Sequence, residues 1–160
     1  MREILFRGQT RRYGELVQMN SGKKVPSNWV YGGVCQGTGS FSIIYGSMDV
    51  ELEQPTEKHV VYTDTIGQYT GLTDKNGKKI FEGDVFQLEE DDILGVVIFQ
   101  DGCFRIKVYG QTGTFTESGY DECGGGYGVI EVEPIDWYRV GDMQIIGNIH
   151  DNPELLGGEC

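Results

Sequence analysis

The stretch IGQYTGLTDKNGKKIFEGDVF, residues 66–86, decides how the chain is read. It gathers Gln68, Tyr69, two threonines, Asp74, Glu82, Asp84 and four glycines into one short run. That is the composition of an active site, or of a chain turning before a sheet. The turn accounts for more of the residues. Asn76-Gly77 is a hairpin dipeptide, since both residue types tolerate the positive φ of a type I′ turn. Asp74 and three lysines around it suit a solvated turn, and IFEGDVFQLEE then resumes a strand, with Gly83 placed for a bend or bulge. Gln68–Gly71 reads as a structural corner. Tyr buries its ring, Thr and Gln bond backbone groups, and Gly takes an unusual φ.

Outward from this stretch the pattern is strand after strand. EILFR (3–7) alternates, with Ile4 and Phe6 on one face, and a loop follows that includes a short strand at Leu16–Met19. WVYGGVCQG and SFSIIYGSMDVELE are aromatic and β-branched, with GTG between them as a turn, and KHVVYTD gives another strand. Beyond residue 84, DVFQLEE, ILGVVIFQDG, CFRIKVYG, GVIEVE and MQIIGNI recur at the spacing of a small barrel or rolled sheet, a pattern reminiscent of SH3-like barrels. DECGGGYG (121–128) reads as a flexible loop. In NIHDNPELLGG, Asn152 is placed as an N-cap, Pro153 as the first helical residue and Glu154 beside the helix dipole. The expected fold is therefore mainly β, α+β at most, with one short helical turn near the C-terminus. A single domain over 1–156 is expected, with strands in 1–65, the barrel-like half in 66–156, and a tail at 157–160.

Composition narrows the function classes. The net charge is −12, from 13 Lys and Arg against 25 Asp and Glu. Residues 1–24 carry six bases and two acids, so the rest carries seven bases and 23 acids, a balance of −16. Direct nucleic-acid binding is disfavoured by that sign. The four cysteines form no C-x-x-C pair and only two histidines exist, so no metal site is expected and the thiols read as free in a reducing compartment. MREILFRGQTRR lacks the apolar core of a signal peptide and no apolar run is long enough for a membrane span, which leads to a cytoplasmic expectation.

Catalytic patterns fail one by one. The acids at 89–92 (EEDD) alternate faces if they lie on a strand, and suit a solvated turn better. Asp74, Asn76 and Gly77 begin like a calcium loop, but the glycine comes too early and Val85 stands where the bidentate glutamate belongs. His59 and His150 neighbour no nucleophile motif, and GTGSFS and GGGYG lead into strands rather than a phosphate-binding helix. No catalytic, cofactor or metal residue is expected, although a triad assembled from distant positions leaves an enzyme open.

Two long segments carry a family resemblance. QYTGLTDKNGKKIFEGDVF and IIGNIHDNPELL resemble the YopX family of phage and prophage proteins, and REILFRG and WVYGG match the same family's opening. The resemblance spans residues 2–156. The loop between Arg7 and Trp29 is long for the family, and GGEC runs past the usual ending. What the resemblance implies is a cytoplasmic, phage-encoded, largely β and intertwined protein that self-associates. It brings no reaction with it. The motif residues to which an interaction role would attach are Gln68, Tyr69, Thr70, Gly71, Asp74, Gly77, Gly83, Asp84, Gly147, Asn148, Asn152 and Pro153. Three readings of function follow: an accessory protein acting by protein–protein contact with itself and with a host or phage protein, an acidic decoy for a host nucleic-acid-binding protein, or an uncharacterised enzyme.

Overall fold

The computed structural model describes residues 3–10, 29–46, 48–49, 54–55, 57–87, 94–111, 115–116, 119–120, 127–135 and 142–156. The expected strand at Leu16–Met19, the EEDD run, residues 121–126 of the glycine-rich loop, Cys123, Cys160 and the 157–160 tail lie outside them. The protein is mainly β, as its aromatic and β-branched runs require. Among the described residues the helical content is confined to 3-10 turns at Thr63–Thr65 and Pro153–Leu155. None of it is long and apolar enough to cross a membrane. The chain divides into two compact units, Met1–Tyr69 and Thr70–Cys160.

Unit 1 contains β1 (Phe6–Gln9), β2 (Trp29–Cys35), β3 (Phe41–Tyr45), the short pair β4 (Met48–Asp49) and β5 (Gln54–Pro55), β6 (Lys58–Tyr62) and the start of β7 (Gly67–Thr73). Neighbours pair antiparallel in the order β6, β3, β2, β1, β7. The first strand begins at Phe6 rather than Glu3, and Ile4 is 70% exposed, so the Ile4/Phe6 face does not form. The sheet curls far enough for Thr10 to bridge back to Val61 on β6.

Register then assigns two faces, because facing residues of neighbouring strands share a side. Ile44, Val61 and Gly8 lie inside, with Ile44 and Val61 fully buried. A Cβ on Gly8 would stand 3.0 Å from Val61 Cγ2 and 3.1 Å from Ile44 Cδ1, so the close packing of β1 depends on that missing atom. The outer side carries Tyr31, Phe41, Ile43, Tyr45, Val60 and Tyr62. Hydroxyls tie the connections down. Ser42 Oγ accepts the Gly37 N–H at 2.9 Å and lies 2.8 Å from Thr63 Oγ1. Thr65 Oγ1 accepts the Gln9 N–H at 2.9 Å and donates to the Tyr62 carbonyl at 2.7 Å.

Unit 2 contains the end of β7, β8 (Lys79–Phe81), β9 (Asp84–Gln87), β10 (Leu94–Gln100), β11 (Cys103–Gln111), the short pair β12 (Phe115–Thr116) and β13 (Gly119–Tyr120), β14 (Tyr127–Pro134) and β15 (Gln144–Asn148). The second-half strands fall where the spacing placed them. They form an antiparallel sheet in the order β14, β11, β10, β9, β15. Of the two arrangements expected, barrel or rolled sheet, no barrel closes: β14 and β15 are the two edges and do not pair with each other. Tyr127 and Gly128, expected in the glycine-rich loop, begin β14.

One face of this sheet builds the core. Phe86, Val97, Phe104, Ile106, Val108 and Ile145 alternate onto it and pack with Ile80 and Met143, with Leu72 and Ile135 at the margin. Gly95 sits opposite Phe86, where a Cβ would come within 2.2 Å of the ring, so the glycine is what lets that phenylalanine lie flat on β10. Core positions of this kind supply roughly 1.5–3 kcal/mol for each fully buried large side chain.

The charge is divided as sharply as the fold. Unit 1 holds seven Lys and Arg and seven Asp and Glu, a balance of zero. Unit 2 holds six against eighteen, so all of the net −12 resides there.

Candidate functional site

The two long sequence motifs meet in unit 2. After β7 the chain turns through Asp74, Lys75, Asn76 and Gly77. The turn differs from the type I′ hairpin expected of Asn76-Gly77: only Gly77 has positive φ, at 80°. The cause is the Asp74 side chain. Its Oδ1 accepts the N–H groups of Asn76 at 2.8 Å and Lys78 at 2.9 Å, which holds Asn76 in an ordinary conformation and leaves the left-handed position to glycine. Backbone bonds from the Gly77 N–H to the Asp74 carbonyl at 2.9 Å and from the Asp74 N–H to the Lys78 carbonyl at 2.8 Å complete the turn.

The same carboxylate reaches across 71 residues. Asp74 Oδ2 accepts the Ile145 N–H at 3.3 Å, and the Lys75 N–H donates to the Met143 carbonyl at 3.0 Å. The turn therefore lies against the free side of β15 and occupies backbone groups that an edge strand leaves exposed. Asp74 is only 6% exposed. Burial pushes its pKa up, but the N–H groups of Lys78, Ile145 and Asn76 together with the Lys78 charge hold it below the usual carboxylate value.

A second turn, through Glu82 and Gly83, joins β8 to β9. Gly83 has φ 85°, its N–H donates to the Val97 carbonyl at 2.8 Å, and its carbonyl accepts from the Ile149 N–H at 2.9 Å. The expected bend at Gly83 thus forms, and it anchors the far end of β15. Asp84 is 1% exposed, with Oδ2 accepting the Phe81 N–H at 2.8 Å. It closes the β8–β9 turn.

At the end of β15, Asn148 organises the chain's last described turn. Its Oδ1 accepts the N–H groups of His150 at 3.0 Å and Asp151 at 2.9 Å, and its Nδ2 donates to Asp151 Oδ2 at 2.8 Å. The 3-10 turn begins at Pro153, where proline was expected, but Asn152 makes no side-chain cap bond. Its amide instead lies over Gly147, where a Cβ would come 2.4 Å from Asn152 Oδ1 and 3.1 Å from Leu155 Cδ1. The β-bulge between Ile145 and Gly147 produces this seating.

The Gln68–Gly71 segment is not a corner. It runs within β7. Gln68 is half-buried beside Phe6, and the buried Tyr69 donates its N–H to the Leu5 carbonyl at 2.8 Å, all within unit 1. In unit 2, Thr70 Oγ1 donates to the Ile80 carbonyl at 3.0 Å, and Gly71 is exposed with φ 90°.

Chemically, the site is a set of buried acceptors facing backbone donors. A carboxylate committed to several N–H groups and held ionised is a poor proton shuttle. His59 is half-buried and 3.6 Å from the exposed Glu57, far from these residues in the chain. Among the described residues no three His, Cys, Asp or Glu side chains converge as metal ligands. Cys35 and Cys103 are free and exposed.

Two features escaped the sequence reading. The type I′ geometry belongs to Asp101-Gly102, with φ 53° and 78°, between β10 and β11, and the Asp-Gly dipeptide was its signal. The outer face of unit 1 is the other. Phe41, Ile43 and Tyr45 on β3 face Tyr62, Val60 and Lys58 on β6, and simple period-two alternation would have found it. Phe41 and Tyr62 stack with centroids 5.3 Å apart, and Arg7 lies 4.6 Å over the Trp29 ring.

The family model described as YopX protein matches residues 34–157, well over half of the chain, and the chain belongs to that family. The match contains both long motifs. It begins just after WVYGG, so that segment and REILFRG stand outside the matched residues. No curated protein matches the chain.

Proposed function

We propose that this YopX family chain is a non-catalytic accessory protein of a phage or prophage that acts in the host cytoplasm by protein–protein contact and associates with itself. One observation carries the reading. Asp74, Asp84 and Asn148, three buried polar residues of the family motifs, are spent on backbone N–H groups inside unit 2. Their residue types are accounted for by folding, while Tyr31, Phe41 and Val60 of unit 1 are exposed. Such a division suits a protein whose product is a contact rather than a reaction.

A second reading has its own support. With the whole net charge concentrated in unit 2, that unit presents an acidic surface of the kind that a nucleic-acid-binding protein of the host would accept in place of a phosphate backbone. Affinity capture from nuclease-treated host lysate, washed at low and then high salt, separates the two. A host nucleic-acid-binding protein lost at high salt supports the decoy, because screening shortens the reach of charge. Stable oligomers of the protein alone, surviving both washes, support the self-associating accessory protein. Turnover of a substrate that persists in an Asp74→Asn variant and disappears in a His59→Gln variant would overturn both.

A further inference from the structure

We infer that Asn76 is a covalent modification site, where the chain deamidates through a succinimide to isoaspartate, and that the Asp74 turn holds this reaction in check. The chemistry needs a side-chain carboxamide free to move, a following backbone nitrogen able to reach it, and no side chain in the way. Among the described asparagines Asn76 alone meets all of these. It is exposed, its carboxamide makes no hydrogen bond among the described residues, and glycine follows it. A Cβ placed on Gly77 would meet nothing within 4 Å, so the approach is open. Asn148 is buried with its amide bonded at both ends, and the Ile149 N–H behind it is held by the Gly83 carbonyl at 2.9 Å. Asn152 precedes Pro153, which has no N–H to lose. Asp101-Gly102 is an exposed turn of similar make, but a carboxylate is a poorer electrophile than a carboxamide.

In the first step the Gly77 nitrogen loses its proton and attacks Asn76 Cγ. The new bond closes a cyclic imide, the Cγ–Nδ2 bond breaks, and that nitrogen leaves as ammonia with the proton. Water then opens the imide at either carbonyl, giving aspartate or, where the main chain leaves through Cγ, isoaspartate. Lys75 and Lys78 flank the pair and place positive charge near a nitrogen that must become anionic. The folded turn opposes the attack. The Gly77 N–H donates to the Asp74 carbonyl at 2.9 Å, and an N–H engaged in a bond is harder to deprotonate. Bonds from the Asn76 and Lys78 N–H groups to Asp74 Oδ1, at 2.8 Å and 2.9 Å, hold the backbone on both sides of the pair. Reaction therefore proceeds from the opened turn and follows its population. Isoaspartate at this position lengthens the main chain between Asp74 and Lys78 and adds a carboxylate beside that of Asp74. The two N–H groups then no longer reach one oxygen, and the bond from Asp74 to Ile145 on β15 loosens with them.

Peptide mapping by mass spectrometry, with aspartyl and isoaspartyl forms resolved by chromatography, tests this on the full chain held at mildly alkaline pH, folded and in urea. The expected result is conversion at Asn76 in urea, mostly to isoaspartate, at a rate about tenfold or more above that of the folded chain. Asp74→Ala is expected to restore most of the rate seen in urea, whereas Gly95→Ala, which weakens the same unit away from the turn, stays near wild type. No conversion of Asn76 in urea overturns the site. A folded rate equal to that in urea overturns the protection. So does an equal acceleration by Asp74→Ala and Gly95→Ala, because unfolding of the whole unit then sets the rate. Should circular dichroism show Asp74→Ala unfolded, Asp74→Asn keeps an acceptor oxygen without the charge, and an unchanged rate for it overturns the protection by Asp74. Hydrogen exchange of the separated isoaspartyl form reads the Ile145 amide. Faster exchange than in the unmodified chain is expected, and equal protection overturns the link to β15.

Discussion

Unit 1 balances its charges and lays aromatic residues on an open face, whereas unit 2 carries the entire net charge and turns its polar family residues inward. Both are antiparallel sheets of short strands, so the contrast lies in what each one buries. Unit 1 stitches its connections with hydroxyls, through Ser42, Thr63 and Thr65. Unit 2 does so with the side-chain oxygens of Asp74, Asp84 and Asn148. A hydroxyl bond carries no net charge and costs little when lost. An ionised carboxylate accepting several N–H groups contributes more, and leaves buried donors behind when removed. The two long family motifs fall mostly on the carboxylate-stitched unit. Motif and fold stability are thus concentrated in the same residues.

The largest test of this contrast is Asp74→Ala. It removes three charge-assisted bonds and orphans the Ile145 N–H, and about 3 kcal/mol of stability is expected to go with them. Hydrogen exchange should show β11 and β15 amides losing protection while β3 amides keep theirs. Equal loss in β3 would mean that the units unfold together, and the contrast would fail.

Next in size is Gly95→Ala. The new methyl collides with a Phe86 ring that has nowhere to move, at about 2 kcal/mol, read as a lower urea midpoint with an unchanged slope. Gly33→Ala in unit 1, with nothing within 4 Å of the added atom, should stay within about 0.5 kcal/mol and provides the paired control.

Acid sharpens the comparison further. The folded-state pKa of Asp74 is depressed, so the stability it contributes is complete above the ordinary aspartate value and is lost as pH falls through the lower folded value. Unit 2 protection should therefore drop below the usual carboxylate range, and the drop should shrink in Asp74→Asn. The smallest effect is expected at the β10–β11 turn. Asp101→Asn keeps a residue that tolerates φ 53° and removes the exposed 3.6 Å contact with Arg105, a change of a few tenths of a kcal/mol in thermal unfolding.

Strand existence was legible because it rests on alternation and on turn residues, both local properties. KHVVY, ILGVVIFQ and QIIGN were readable for that reason, as was Pro153 opening a helical turn. What was not legible depended on distant atoms. Nothing near Asp74 in the chain announces Ile145 as its partner, so a carboxylate expected to be solvated is buried. Asn152 has the residue type and position of a cap, yet the bulge at Ile145–Gly147 draws its amide over the strand instead. Asn76-Gly77 was read by its dipeptide alone, and the neighbouring aspartate changed the turn. The Gln68–Gly71 run misled differently. Its polar residues suggested a corner, but pairing with β1 and β8 keeps it in a strand, while the buried Tyr69, the Thr70 bond to a backbone carbonyl and the unusual φ of Gly71 are as expected.

The bond between Asp74 and Ile145 also sets an order of events during synthesis. Strands β1 to β6 have all been made once Tyr69 is added, so they can pair while the rest is still being made. Unit 2 waits. Its carboxylate turn is in place early, but the strand that turn closes upon lies 71 residues further along. Until β15 arrives, β9 is an open edge and Asp74 lacks one of its partners. A nascent chain stalled before residue 145 would thus hold its first strands paired while unit 2 is still unfinished. The interval between residues 70 and 145 is the one in which that edge stands unpaired.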